Sequence, residues 1–173
     1  MGCPVKKVVT KGAGSALMKD PKALPELFSS MKQATHLPIT IKIRTGWDQD
    51  NRNALEIIHI AKEEGIEFVA IHGRTRAQQY TGKADWDFIE NMASESKLPI
   101  IGNGDLHSPY KVTERWKNTN CSALMIARGC LRNPFIFLES NQLEQGRKSL
   151  FTGPDYFEVV HRLFHLISEH FPD

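Results

Sequence analysis

Four short apolar runs alternate with helical patterns along this chain, and that alternation is the feature that most restricts its fold. Each run is continuous in its apolar residues, which is typical of strands buried on both faces of a parallel sheet. Strands joined through helices favour right-handed crossover connections, so the sequence predicts an α/β fold with a parallel sheet. The runs are LPITIKIRTG (37–46), IEFVAIHGRT (66–75), LPIIGNGD (98–105) and SALMIARG (122–129).

Four helical patterns precede or separate these runs, and their ends carry ordinary helix signals. Asp20 and Ser108 are each followed by proline, which predicts an N-cap with proline at the first helical position. Gly65 stands where a glycine commonly ends a helix. The patterns cover 20–35, 51–65, 85–97 and 108–118.

Two more helices are predicted towards the C-terminus. The segment after Pro134 (NPFIFLESNQLEQG) predicts a helix against the sheet, and a Gly-Pro break precedes a separate amphipathic helix over 153–171. This last helix ends close to the end of the chain, so we expect its apolar stripe to lack packing partners. The stripe consists of Phe157, Val160, Phe164 and Ile167 or Leu163.

Composition excludes several classes of protein. Hydrophobic residues make up 40% of the 173 residues, and no apolar run approaches the roughly 20 residues that a membrane helix needs. The N-terminus lacks the features of a secretory signal, so we expect a cytoplasmic protein. The 3 cysteines form no C-x-x-C pair and no metal-ligand spacing, so we expect reduced thiols and no metal. The net charge of +2 is too small to establish a nucleic-acid partner.

Polar and cationic residues stand just past each apolar run, where parallel α/β folds bind their ligands. This placement predicts an anionic ligand. Structural alternatives remain open: Lys42 as a snorkelling side chain, His72 as a core histidine, Asp105 as a helix cap and Arg128 as an ion-pair partner. The candidate residues are Lys42, Arg44, His72, Arg74, Arg76, Asn103, Gly104, Asp105 and Arg128.

Cys3 stands in MGCPVKKV between a glycine and a proline, which fix a turn around it. The neighbouring Lys6 and Lys7 would stabilise a thiolate, so the thiol could donate a proton. The alternative is a terminal cysteine without a function.

The motifs as a set resemble the tRNA-dihydrouridine synthases, and most closely the bacterial B-type branch of that flavoenzyme family. The likeness covers roughly residues 1–140, with 153–171 similar to the first helix of the family's C-terminal helical domain. The motifs occur in the family's order and spacing. They are MGCPVKKV, GAGSALMKDP, ITIKIRTGW, AIHGRTRAQQYTGKADWD, PIIGNGD and ALMIARG followed by NPFIF.

The resemblance implies an FMN-containing TIM-type (β/α)8 barrel that uses NADPH to reduce uridines in tRNA to 5,6-dihydrouridine. Cys3 matches the catalytic cysteine, which protonates the uracil carbon, and Lys42 and His72 match residues that contact the flavin. Asn103, Gly104, Asp105 and Arg128 match segments at the phosphate end of FMN, where Ala127 replaces the glycine usual in the family. Contacts to tRNA phosphates are implied for Lys6, Lys7, Lys11, Arg44, Arg74 and Arg76, with solvated surface charge as the alternative for each.

In the family, the GCP motif follows the fourth barrel strand. The resemblance therefore predicts that residues 1–147 are the second half of the barrel and that 148–173 begin the helical domain. Three hypotheses for the function of this polypeptide follow. It is a fragment of a longer synthase, a half-barrel that self-associates and retains flavin binding, or a non-catalytic RNA-binding remnant. A different FMN barrel oxidoreductase acting on small molecules is the alternative enzyme class.

Overall fold

The computed structural model describes residues 1–148 and 151–171 of the chain. These residues form two compact units. The sheet unit consists of Met1–Asp105 and Thr119–Met125, and the helical unit consists of Leu106–Asn118 and Ile126–Asp173. The predicted domain boundary at residue 147 stays a prediction. In the described part of the chain, no helix has the length and apolar character needed to cross a membrane.

The sheet unit is built on a four-stranded parallel sheet in the order β1-β2-β3-β4. This arrangement confirms the parallel α/β fold predicted from the apolar runs, and each strand lies inside its run. The strands are β1 (Ile41–Arg44), β2 (Val69–His72), β3 (Ile100–Asn103) and β4 (Ala123–Met125).

The two faces of this sheet differ in chemistry. Ile43, Val69 and Ile71 are fully buried on one face. Arg44 pairs in register with His72, and His72 pairs with Asn103, so these side chains share the opposite face. Lys42 lies two residues before Arg44 and therefore points to the same face as Arg44.

Helices of the sheet unit cover its apolar face. Phe28, Ile57 and Ile89 are the buried anchors of three of these helices. The bounds are α1 (Lys6–Val9), α2 (Leu24–Ala34), α3 (Ala54–Glu63) and α4 (Trp86–Glu95), with 3₁₀ turns at Gly14–Lys19 and Pro21–Ala23.

Helix ends follow the predicted signals in part. Gly65 has φ +71° just after α3, as a C-terminal glycine should. The Asp20 side chain caps nothing, because Pro21 opens a 3₁₀ turn and α2 begins only at Leu24. Asp85 caps α4 by accepting a hydrogen bond of 2.9 Å from the Phe88 N–H.

The described residues of the helical unit form four helices. Ser108 caps the first by accepting from the Lys111 N–H, as predicted. The predicted helix after Pro134 is preceded by a further short helix. The bounds are α5 (Pro109–Lys117), α6 (Arg128–Arg132), α7 (Ile136–Glu144) and α8 (Gly153–His170).

The first turn of α8 is tied to the rest of the helical unit. The Tyr156 hydroxyl donates to Asn133 Oδ1 at 3.1 Å, and the rings of Phe135 and Phe151 stack with centroids 3.9 Å apart. The apolar stripe farther along is exposed, with Phe157 71% and Phe164 65% accessible.

Candidate active site at the carboxyl end of the sheet

Three polar side chains end neighbouring strands of the sheet and are nonetheless buried. Arg44, His72 and Asn103 retain only 2%, 7% and 5% of their accessible surface. They are the last residues of β1, β2 and β3 and lie in one row across the sheet. Buried polar groups must be hydrogen-bonded or held for a ligand, so each partner matters.

Arg44 connects three segments of the backbone. Its Nε donates to the Gly2 carbonyl at 2.9 Å. Its Nη1 donates to the carbonyls of Thr75 at 2.9 Å and Gln79 at 2.8 Å. The end of β1 therefore holds both the N-terminal segment and the loop after β2, which fixes the backbone beside Cys3.

Cys3 is held on its other side by the turn that follows α1. The Ser15 N–H donates to the Cys3 carbonyl at 3.0 Å. Gly14 has φ +61°, and a Cβ there would lie 2.7 Å from the same carbonyl oxygen, so only glycine fits this close approach. The thiol itself is exposed. The structure thus presents an accessible thiol on a fixed backbone.

Lys42 is a half-buried cation on the same face of the sheet as His72. Burial, followed by the charge of Arg44, lowers the pKa of its ammonium. Within residues 1–148 and 151–171, no hydrogen bond or ion pair reaches this ammonium. A desolvated cation in this state favours an anionic or strongly accepting ligand.

Arg74 lies in the loop after β2 with 2% of its surface accessible. Its guanidinium donates to the carbonyls of Thr81 at 3.2 Å and Gly82 at 2.7 Å. It also donates to Asp105 Oδ2 at 2.9 Å and contacts His72 Nε2 at 3.3 Å. This arginine joins the loops after β2 and β3.

His72 is held in its neutral form. Burial lowers the pKa of its imidazole to about 3, and the positive charges of Arg44, Lys42 and Arg74 act in the same direction. The ring can therefore exchange hydrogen bonds with a ligand without adding charge to the site.

The loop after β3 is shaped by its glycine. Gly104 has φ +139°, and a Cβ there would lie 2.5 Å from the Ala84 side chain. Asp105 also adopts a positive φ, of 53°, and its Oδ2 accepts from the Ala84 N–H at 2.8 Å. Its carboxylate thus binds the loop after β2, whereas Ser108 caps the next helix. The interpretation of Asp105 as that cap is wrong. Asn103 donates to the Met125 carbonyl at 2.7 Å.

The remaining candidate residues differ in exposure. Lys6, Lys7 and Lys11 are exposed, while Arg76 is half-buried with its guanidinium 4.4 Å from the centre of the Trp47 ring. Arg44 and Arg74 are committed to protein acceptors, so an RNA contact by either of them stays a prediction.

Ala127 and Arg128 belong to the helical unit and are exposed. Ala127 precedes α6 with φ −120°, which an alanine adopts without strain. Its carbonyl accepts from the Cys130 N–H at 3.1 Å. Their place at FMN stays a prediction.

Residues around Trp47 were not found by sequence reasoning. Lys19 lies 4.8 Å from the Trp47 ring centre, on the side of a cleft of about 720 Å³ whose wall also includes Arg52. The wall carries charges of both signs, including Asp50 and Glu56. The sequence feature that could have indicated these residues is Trp47 itself, which directly follows the β1 run at the sheet edge where ligands bind.

Comparison with known proteins gives the family. The family model described as Dihydrouridine synthase (Dus) matches residues 1–172. The chain is 45% identical over 139 residues to tRNA-dihydrouridine synthase B of Pseudomonas syringae, which covers 80% of this chain and 41% of that protein. It is 46% identical over 137 residues to tRNA-dihydrouridine synthase B of Pasteurella multocida, covering 79% and 41%.

A third relative is similar along almost all of the chain. The probable tRNA-dihydrouridine synthase of Rickettsia conorii is 36% identical over 171 residues, which is 98% of this chain and 50% of that protein. The chain thus spans from 41% to 50% of the length of these three curated relatives. With the family model matched along its length, a parallel α/β sheet in place and B-type synthases among its relatives, the chain belongs to the dihydrouridine synthase family, in its B-type branch.

Proposed function

We propose that this chain is the second half of the catalytic barrel of an FMN-dependent tRNA-dihydrouridine synthase. The proposed reaction uses NADPH to reduce uridine in tRNA to 5,6-dihydrouridine. The names of the relatives support the reaction, and the share of their length that the chain spans supports the half-barrel. Residues 148–173 would begin the helical tRNA-binding domain, and the tRNA substrate suggests a cytoplasmic location.

One observation carries the proposal: a desolvated ammonium that no described acceptor reaches lies on the same sheet face as a neutral, buried imidazole. FMN, when bound, supplies the hydride, and its reduced ring is anionic, so a cation beside the ring stabilises that form. Lys42 fits this role, because burial lowers its pKa and no described acceptor reaches it. His72 fits a hydrogen-bonding role beside it.

The phosphate end of FMN is assigned by the resemblance to Asn103, Gly104, Asp105, Ala127 and Arg128. In the sheet unit, Asn103 and Asp105 already bind protein groups, so we propose that they shape the loop and that Gly104 allows its backbone path. Arg128 is the exposed cation of this set.

Cys3 is proposed as the proton donor to the uracil carbon, on the side away from the hydride. Its accessible thiol and its fixed backbone support this role. A uridine must leave its base stack to reach such a site. Exposed Lys6, Lys7 and Lys11, with Arg76, are proposed to contact tRNA phosphates.

The first test is a visible absorption spectrum of the purified 173-residue chain with and without FMN. We expect a protein-bound flavin spectrum, and we expect Lys42→Met to weaken FMN binding about tenfold, the loss of one charged hydrogen bond. Lys62→Met, which changes an exposed lysine on α3, is the matched control. A folded chain that binds no FMN would contradict flavin binding by this half-barrel.

The second test assays unmodified tRNA with NADPH. We expect Cys3→Ala to abolish dihydrouridine formation, while Cys130→Ala retains it. Turnover of small enones or dihydropyrimidines, with none of tRNA, would favour the alternative enzyme class. Binding of tRNA without flavin would favour an RNA-binding remnant.

Self-association is also proposed, because β1 and β4 are the outer strands of the sheet among the described residues. The elution volume of the same sample measures it, and a monomer at all concentrations would contradict it.

A further inference from the structure

We propose that Arg74 is a positioning residue that holds His72 in a single neutral tautomer, with the proton on Nδ1, and that Asp105 anchors Arg74 for this purpose. This assignment differs from the RNA contact that the resemblance implies for Arg74. It deepens the proposed function in one respect, because the ligand that would use the oriented imidazole is the proposed FMN.

The tautomer follows from the donor inventory of the two side chains. Arginine has five N–H donors and no acceptor, and it stays protonated in proteins. The contact of 3.3 Å between Arg74 Nη1 and His72 Nε2 is therefore a hydrogen bond from arginine to histidine. An Nε2 that accepts carries no proton, so a neutral His72 carries its proton on Nδ1.

Arg74 is itself fixed from three directions. The carbonyls of Thr81 and Gly82 accept from its Nε and Nη2, and Asp105 Oδ2 accepts from Nη2 at 2.9 Å. Its side chain is only 3% exposed. The guanidinium plane cannot rotate away from His72 without breaking several of these bonds.

Asp105 is held as firmly as its partner. Its Oδ2 also accepts from the Ala84 N–H at 2.8 Å, and its backbone has a φ of 53°, which places the carboxylate back over the loop after β2. Hydrogen bonds thus connect Ala84 to Asp105 and Asp105 to Arg74. Arg74 in turn is bonded to His72 Nε2, so the loops after β2 and β3 together position that ring nitrogen.

Burial, followed by the surrounding positive charge, keeps the imidazole neutral while Arg74 donates to it. The charged groups that act on His72 are Arg44, Lys42, Arg74 and Asp105, of which only Asp105 is negative, and the Tyr80 ring lies 6.2 Å away. An imidazolium would carry a proton on Nε2 and would lose the bond from Arg74. Geometry and charge therefore favour the same state.

The consequence is a defined donor at the site. Among the described residues, the hydrogen bond from Arg74 is the one that the His72 ring makes. Its Nδ1–H is then available to donate to an acceptor atom of a ligand on that face of the sheet. A fixed tautomer spares the ligand the cost of selecting one.

The test is long-range ¹H–¹⁵N correlation NMR of the chain labelled in histidine, without FMN, from pH 5.5 to 8. His72→Gln assigns the signals. We expect a protonated Nδ1 and an unprotonated Nε2 for His72 throughout this range. A proton on Nε2, rapid exchange between tautomers, or an imidazolium at pH 5.5 would each overturn the inference.

Variants then separate positioning from simple support. Arg74→Met removes the donor, and we expect the His72 signals to move to a tautomer mixture and the affinity for FMN to fall about tenfold. Arg74→Lys, which still donates, should restore the Nδ1–H tautomer in part, and Arg162→Met on the exposed face of α8 should change neither reading. A His72 tautomer unaltered by Arg74→Met would contradict the proposal.

The two proposals fail in different ways. A wild-type chain that binds no FMN but shows the Nδ1–H tautomer contradicts flavin binding and leaves the role of Arg74 intact. A chain that binds FMN with His72 in the other tautomer contradicts only the role of Arg74.

Discussion

The carboxyl edge of the sheet and the C-terminal helix α8 differ in the kind of side chain that each buries. At the sheet edge, Arg44, His72 and Arg74 are polar and yet buried, and each is bonded within the sheet unit. On α8, Phe157 and Phe164 are apolar and yet 71% and 65% exposed. The first region hides groups that prefer water, and the second exposes groups that avoid it.

This contrast indicates what each region requires. Among the described residues, no acceptor reaches the half-buried ammonium of Lys42 at the sheet edge, so a ligand there has this charge to neutralise. Beyond its first turn, α8 has no buried residue among those described, so its stability depends on propensity and on whatever covers its stripe. Paired substitutions, one in each region, test that contrast.

The largest expected effect comes from a pair of phenylalanines. Phe28 on α2 is 1% exposed, whereas Phe164 on α8 is 65% exposed. We expect Phe28→Ala to lower the free energy of unfolding by about 3–5 kcal/mol, the transfer and cavity cost of a core phenylalanine. Phe164→Ala should change it by less than about 0.5 kcal/mol. Urea unfolding followed by circular dichroism measures both.

A large loss from Phe164→Ala would contradict the picture of an uncovered stripe. Repeating the measurement at two protein concentrations identifies the cause, because stabilisation by a second copy grows with concentration.

The second pair compares buried and exposed arginine. Arg44→Met leaves the carbonyls of Gly2, Thr75 and Gln79 without their donor, and we expect a loss of about 3 kcal/mol. Arg162→Met on α8 removes an exposed guanidinium and should cost less than about 0.5 kcal/mol. Hydrogen exchange locates the damage: the amides of Ser15 and Ala77, which donate to the carbonyls of Cys3 and Trp47, should exchange faster in Arg44→Met alone. Unchanged exchange there would contradict the role of Arg44 in fixing the N-terminal segment.

Much of the fold could be predicted from sequence because its signals are local. Continuous apolar runs located all four strands, and Ser108 and Gly65 marked helix ends correctly. Asp20 failed as a cap because Pro21 favours a 3₁₀ turn and delays α2 to Leu24.

The candidate site could be predicted only in outline. That Lys42, His72 and Asn103 lie at one edge could be predicted because strand ends meet there in a parallel sheet, while their roles stay predictions. The hydrogen-bond partners of Arg44 and Arg74 could not be predicted. They include backbone carbonyls such as those of Gly2 and Gly82, and every residue has a carbonyl whatever its side chain. A charged residue in the sequence therefore predicts only that a charge lies near the sheet edge. Its burial in the folded chain decides whether that charge contacts a ligand or other groups of the protein.

The third prediction concerns pH and the buried imidazole. The imidazole of His72 has a pKa of about 3 in the folded chain, whereas a histidine in the unfolded chain has a pKa of about 6.5. The unfolded state therefore binds more protons below pH 6.5, and stability falls as the pH falls. We expect His72 to contribute a loss of up to about 1.4 kcal/mol per pH unit between pH 6.5 and 4.5.

The measurement is the difference in urea midpoint between wild type and His72→Gln across that range. The variant should lose less stability than wild type as the pH falls. His161→Gln on α8, where the side chain is exposed, is the matched control. Parallel pH profiles for wild type and His72→Gln would show that the imidazole is not held neutral.

The smallest expected effect separates a filled position from an open one with the same substitution, glycine to alanine. A Cβ at Gly102 on β3 would lie 2.6 Å from Cζ3 of Trp86 and 3.1 Å from Cys121 Sγ. The indole is buried and its Nε1 donates to the Gly104 carbonyl at 3.0 Å, so it cannot move without straining the loop after β3. We expect Gly102→Ala to cost about 1–3 kcal/mol through overpacking.

At Gly153, the first residue of α8, nothing lies within 4 Å of the position that an added methyl group would occupy, and alanine favours a helix over glycine. Gly153→Ala should therefore leave stability unchanged or raise it by up to about 1 kcal/mol. Urea midpoints give both values, and tryptophan fluorescence reports the displacement of Trp86 in Gly102→Ala. Equal effects of the two substitutions would mean that the packing around Gly102 accommodates an added methyl group as easily as solvent does. The structure would then give no physical reason for a rigid placement of His72 and Asn103.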